Sequence, residues 1–162
     1  MSGMSLTSNH FLKLVTEAKQ LIAQEFKLQM NANVELCTQN ELVRKILEDA
    51  QKRNLSVAEL QSISLLFPFL YGKYFKHSNT AWVIRGKGDN LSVIVHELLH
   101  SIQICNPRRE NIVDYITFRL TNEAKFIDPL VKREWEEIES IYGWERIKQR
   151  ILIEGDCENF DL

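Results

Sequence analysis

Several common devices are missing from this chain of 162 residues. It has three cysteines, Cys37, Cys105 and Cys157. An odd number at wide spacings excludes a disulfide framework and fits a reducing compartment. Neither sign of charge dominates, with a formal net charge of -2. Nucleic acid and anionic membranes are therefore not expected as partners. No apolar run approaches the roughly 20 residues needed to span a bilayer. The first residues hold no basic segment followed by an apolar run, so no secretory signal is expected. The expected location is the cytoplasm, or export as an effector without a cleaved signal. Glycine is scarce, at six residues, and none builds a phosphate-cradling loop. No repeat, linker or low-complexity segment breaks the chain. Apolar content of 44% is ordinary for a folded protein, and the length suggests one domain over residues 1–162.

One stretch carries chemistry: Val93-Ile-Val-His96-Glu97-Leu-Leu-His100-Ser-Ile-Gln103. On a helix, two histidines four apart lie on one face and can hold one metal ion. Zinc suits imidazole nitrogen, and a catalytic zinc keeps one position open for water. Glu97 can then take a proton from that water. The context agrees. Asp89, Asn90 or Ser92 can cap a helix. Leu91, Val95, Leu98, Leu99 and Ile102 form a core stripe, His96, His100 and Gln103 share another face, and Asn106-Pro107 ends the helix. The bland alternative is a buried structural His pair. Cys105 reads as a small buried apolar residue rather than a ligand.

The His96-Glu97-Leu98-Leu99-His100 motif resembles the active-site helix of the zincin metallopeptidases. Asn122-Glu123-Ala124 resembles the second motif of their thermolysin-like branch, the gluzincins, and Glu123-Ala124-Lys125-Phe126 is similar to the small ImmA/IrrE-like peptidases. The resemblance covers about residues 79–128. It implies zinc as cofactor, Glu97 as general base, and His96, His100 and Glu123 as ligands. That branch also carries an Asp four residues after its ligand Glu, where this chain has Ile127.

Spacing bears on the third ligand separately. A helix starting at Pro107 and running back along the motif helix would put Glu123 about 24 Å from the turn. That overshoots His100 by about 15 Å, while Asp114 is closer to level with the metal. Glu123 works only if much of 106–114 is loop and Asn111 or Asp114 caps a late helix. Pro-Arg-Arg-Glu-Asn has no apolar residue, which allows this. Asp114, His77 and Glu154 remain as alternatives. The plain role of Glu123 is an ion pair with Arg119 one turn earlier.

The rest reads as helices at about 11–28, 39–53 and 56–67, forming a helical N-terminal part over about 1–68, and two more on either side of Gly143. Val34 to Thr38 is a short strand. Phe69 to Phe75 is aromatic core or strand, and Thr80 to Arg85 is the clearest strand, closed by Gly86-Lys-Gly88. The fold class expected is α+β, mostly helical, with a small antiparallel sheet beside the motif helix and a core at about 79–128. In zincins the strand before the motif helix lies along the cleft, so the edge of residues 80–85 is expected to pair with substrate. The expected function is zinc-dependent hydrolysis of a protein or peptide, with Tyr115, Tyr142 and His77 as candidate oxyanion donors. The alternative is a non-catalytic zinc-binding or protein-interaction domain that retains the helix.

Overall fold

A computed structural model describes residues 2–102 and 109–150, with side chains described for 9–102 and 110–150. The elements run α1 (Ser2–Phe26), β1 (Asn33–Cys37), α2 (Gln39–Lys52), α3 (Val57–Ser64), a 3-10 turn (Phe67–Phe69), β2 (Gly72–Phe75), β3 (Thr80–Ile84), α4 (Leu91–Leu99), α5 (Arg109–Thr121), α6 (Pro129–Tyr142) and α7 (Trp144–Lys148). The class is α+β, mostly helical, as the sequence predicts.

The helix starts follow local rules. Thr38 caps α2 by accepting from the Glu41 N–H, and Ser56 with Glu59 forms a full capping box on α3. Asp128 caps α6, with Pro129 at its first position, and Gly143 at φ 83° stops it. The motif helix is capped by Asn90, whose side chain accepts from the Val93 N–H at 3.0 Å.

The sheet departs from expectation. Its order is β1-β3-β2, with β1 parallel and β2 antiparallel to β3, so it is mixed rather than antiparallel. The physical reason is the connection. After β1 the chain crosses through α2, which packs on one sheet face, and re-enters as a β2–β3 hairpin, leaving β3 in the middle. Cys37, Phe75 and Ile84 meet Leu42 and Ile46 of α2 on that face. On the other face Val83 packs into the larger core with Ile22 of α1 and Ile94 and Leu98 of α4.

α4 is the hub. Seven of its nine residues are buried, and it touches α1, α5, β2 and β3. Its apolar side chains contribute about 1.5–3 kcal/mol each on full burial. Gly88 sets the approach into α4. A Cβ there would lie 2.0 Å from the Tyr71 carbonyl oxygen, so the turn after β3 closes onto the start of β2 only without a side chain.

Two helix limits differ from expectation. α4 ends at Leu99 with His100 as its cap, well short of Asn106-Pro107. α5 is already helical at Arg109, so the polar Arg-Glu-Asn stretch is first turn rather than loop. Glu110 in that turn sits well at a helix N-terminus. Cys105, Cys157 and Glu154 lie outside the described residues.

Candidate metal centre

α4 offers one polar opening in an otherwise buried surface, and His96 and His100 fill it. Their Nε2 atoms are 3.3 Å apart. The first turn of α5 brings a third group. Glu110 Oε2 lies 3.4 Å from His96 Nε2, and its Oε1 lies 3.2 Å from His100 Nε2. Three ligand-type atoms thus converge, and this His96–His100–Glu110 group could hold a metal ion. The fit is quantitative. Bonds of about 2.0–2.2 Å in a tetrahedral site put neighbouring ligand atoms about 3.3–3.6 Å apart. The separations of His96 Nε2 from His100 Nε2 and from Glu110 Oε2 fall in that range, and His100 Nε2 meets the other Glu110 oxygen just below it.

Asp114, one turn beyond Glu110, places Oδ1 3.0 Å from His96 Nδ1. That contact holds a proton on Nδ1, so that in the neutral ring the Nε2 lone pair would face the cluster. Burial opposes charge on His96, but Asp114 and Glu110 outweigh it and push its pKa up to about 10. Glu110 is held below the usual carboxylate range by hydrogen bonds from His100 and His96.

Glu97 is buried, with Oε1 3.9 Å from His96 Nε2. Burial raises its pKa, and the nearby His96, His100 and Lys73 charges oppose that rise. β2 runs directly against it. A Cβ on Gly72 would meet the Trp82 carbonyl oxygen at 2.8 Å and Glu97 Cγ at 3.3 Å. Only glycine lets the strand come this close.

The cluster opens into a cleft of about 820 Å³. α4 and α5 form its floor, β2 one side, and Leu66, Phe69 and Tyr71 a wall that meets Phe126 opposite. The strand whose edge borders this cleft is β2, whereas residues 80–84 lie between two strands and have no free edge. The Ile84 N–H donates to the Tyr71 carbonyl at 2.9 Å. Antiparallel alternation then points the backbone groups of Gly72 and Tyr74 away from β3, toward the open side.

Glu123 takes a different place from the one expected. It follows Asn122, whose φ of 59° ends α5, and it is an exposed member of the cleft wall outside the His96–His100–Glu110 group. Arg119 pairs with Glu139 at 2.9 Å rather than with Glu123. The proposed oxyanion donors do not line the cleft. Tyr115 is buried and its hydroxyl donates to Glu139 at 2.9 Å. Tyr142 lies on α6, and His77 borders a separate hollow beside Asp49. Sequence reading missed Glu110. The signal available was the spacing Glu110-Asn-Ile-Val-Asp114, which puts two carboxylates on one helical face.

No protein-family model matches the chain, and neither a search of curated proteins nor one of solved structures finds a similar protein.

Proposed function

We propose that the protein is a zinc-dependent peptidase with His96, His100 and Glu110 as metal ligands and Glu97 as general base. One observation carries this reading: two imidazole Nε2 atoms 3.3 Å apart, each within 3.2–3.4 Å of one oxygen of the same Glu110 carboxylate, with a buried carboxylate beside them in an open cleft. The resemblance gains support from a second pattern. The gluzincin branch carries an Asp four residues after its ligand Glu, and Glu110 and Asp114 have that spacing, with Asp114 on His96.

Zinc bound there would lower the pKa of its water toward about 7 and polarise a carbonyl. The chain's own residues supply the rest. Asp114 would hold the His96 ring by its Nδ1 proton and so direct Nε2 at the metal. Glu97 accepts the proton of the attacking water and passes it to the departing amine nitrogen. Its burial suits that work, because a raised pKa lets a carboxylate hold a proton between the two transfers. The free edge of β2 takes an extended substrate strand through Gly72 and Tyr74 and presents its backbone to Glu97.

Elemental analysis of the purified protein tests the site. The expected result is about one zinc per chain, lost in His96→Ala and Glu110→Ala and retained in Glu123→Ala. No zinc after addition of the metal would sink the reading. Zinc lost in His96→Ala and Glu123→Ala but retained in Glu110→Ala would restore the ligand set His96, His100 and Glu123. Glu97→Gln separates a peptidase from a zinc-binding interaction domain, because only the former loses its activity.

A further inference from the structure

The cleft is unusual in how much apolar surface it leaves in solvent. Among the large hydrophobic side chains, Leu66 is 60% exposed and Phe69 is 74% exposed, and both line it. Tyr71, 39% exposed, stacks edge-on with Phe126 at 5.3 Å between ring centres, closing the far end of the same wall. α3 and the 3-10 turn that carry this wall contain no buried residue. Isolated apolar residues on a surface mean little, but a contiguous group continuous with a reactive cleft marks a binding surface.

Charge adds a second feature. Glu97, Glu110 and Asp114 gather at the histidines; away from them, the charged residues lining the cleft are Arg53, Lys73 and Lys76 against Glu123. Two more cations flank the aromatic wall: Lys87 Nζ lies 4.8 Å from the Tyr71 ring centre and Lys125 Nζ 5.4 Å from that of Phe126. Arg53 is partly committed to Asp49 at 3.1 Å, which leaves the lysines as the main positive rim.

From these two features we infer that the substrate is an extended protein segment with a large apolar side chain flanked by acidic residues. The apolar side chain seats against Leu66, Phe69, Tyr71 and Phe126, and the acidic residues face Lys73 and Lys76. This rests on the peptidase reading above and narrows it from any peptide to one class. Recognition through both features demands more of a sequence than a peptide bond alone, so generic protein substrates are cut poorly.

The test uses the full chain carrying Glu97→Gln, loaded with zinc, and a random peptide library captured on it and sequenced. Zinc content is measured first on the same preparation, and its absence overturns the peptidase reading and this inference with it. With zinc present, captured peptides should be enriched in Phe, Leu, Met or Tyr with Asp or Glu within a few residues. Phe69→Ser on exposed surface should weaken capture on the order of tenfold and erase the apolar enrichment. Lys73→Gln with Lys76→Gln should erase the acidic enrichment and the loss of capture at high salt. Circular dichroism and zinc content confirm that each variant folds. No captured peptides, or enrichment indifferent to these substitutions, overturns the inference while leaving the zinc site standing.

Discussion

Asp114 Oδ1 lies 3.0 Å from His96 Nδ1, on the opposite side of the ring from the Nε2 that faces His100 and Glu110. Successive turns of α5 thus supply a carboxylate to the cluster and the carboxylate that orients one of its imidazoles. Such outer contacts fix the tautomer and raise ligand basicity. Asp114→Asn should therefore keep zinc at about one per chain in excess metal but weaken its affinity by about 10–100-fold. Competition with a chromogenic chelator measures this, and unchanged affinity would deny Asp114 that role.

Glu110→Ala and Glu123→Ala should part company. Glu110 touches both imidazoles, while Glu123 stands apart on the cleft wall. Added zinc should raise the Tm of wild type and Glu123→Ala, and should do so much less for Glu110→Ala, because stabilisation by a ligand scales with its affinity. Equal shifts in all three would place the metal elsewhere.

The hub helix should be the least tolerant element. Leu98 is fully buried where α4 packs into the larger core. Leu98→Ala should cost about 2–5 kcal/mol in denaturant unfolding. A cost near zero would mean that α4 is not central to the fold.

Gly88→Ala should destabilise although alanine is a modest change. The added Cβ meets backbone, the Tyr71 carbonyl oxygen at 2.0 Å, which cannot rotate away. We expect a loss of about 1–3 kcal/mol. Gly86→Ala is a useful control, because nothing lies within 4 Å of its Cβ and the cost there comes from its φ of 81° alone.

The end of α1 is clamped to α7. The Trp144 indole N–H and the Lys148 ammonium, the latter at 3.0 Å, both donate to Glu25 Oε1. Burial raises the Glu25 pKa, but these partners outweigh it and hold it below its ordinary value of 4.5. A lowered carboxylate pKa stabilises the fold fully above that ordinary value, and the contribution fades as pH falls through the folded-state value. Burial disfavours the Lys148 ammonium, but Glu25 and Glu145 raise its pKa above the ordinary 10.5, so its contribution fades only at high pH. Glu25→Gln should thus lower stability by about 1 kcal/mol at neutral pH. The gap to wild type should close in acid. A gap independent of pH between 2 and 7 would contradict the clamp.

Much of the candidate site was legible because it is local. The spacing of His96, Glu97 and His100 fixes their faces once the segment is helical, and Asn90 as cap makes it so. The caps at Thr38, Ser56 and Asp128 were readable for the same reason: each lies within three residues of the N–H it satisfies. Glu110 was hidden by its setting. Pro-Arg-Arg-Glu-Asn reads as loop, and helix length measured from a late start favours Glu123. The same arithmetic from an early start points to the first turns of α5, which is where Glu110 and Asp114 sit.

By itself, then, the sequence determined the α+β character, the motif helix, the paired histidines and the carboxylate beside them. These depend on periods and caps within a few residues. Tertiary structure decided which acidic group meets the histidines and which strand faces the cleft. Both depend on partners far apart in the chain: α5 folding back on α4, and β1 pairing with β3 across more than forty residues so that β2 is left at the cleft edge. No local pattern encodes such a pairing, because it is chosen by which surfaces bury the most apolar area together.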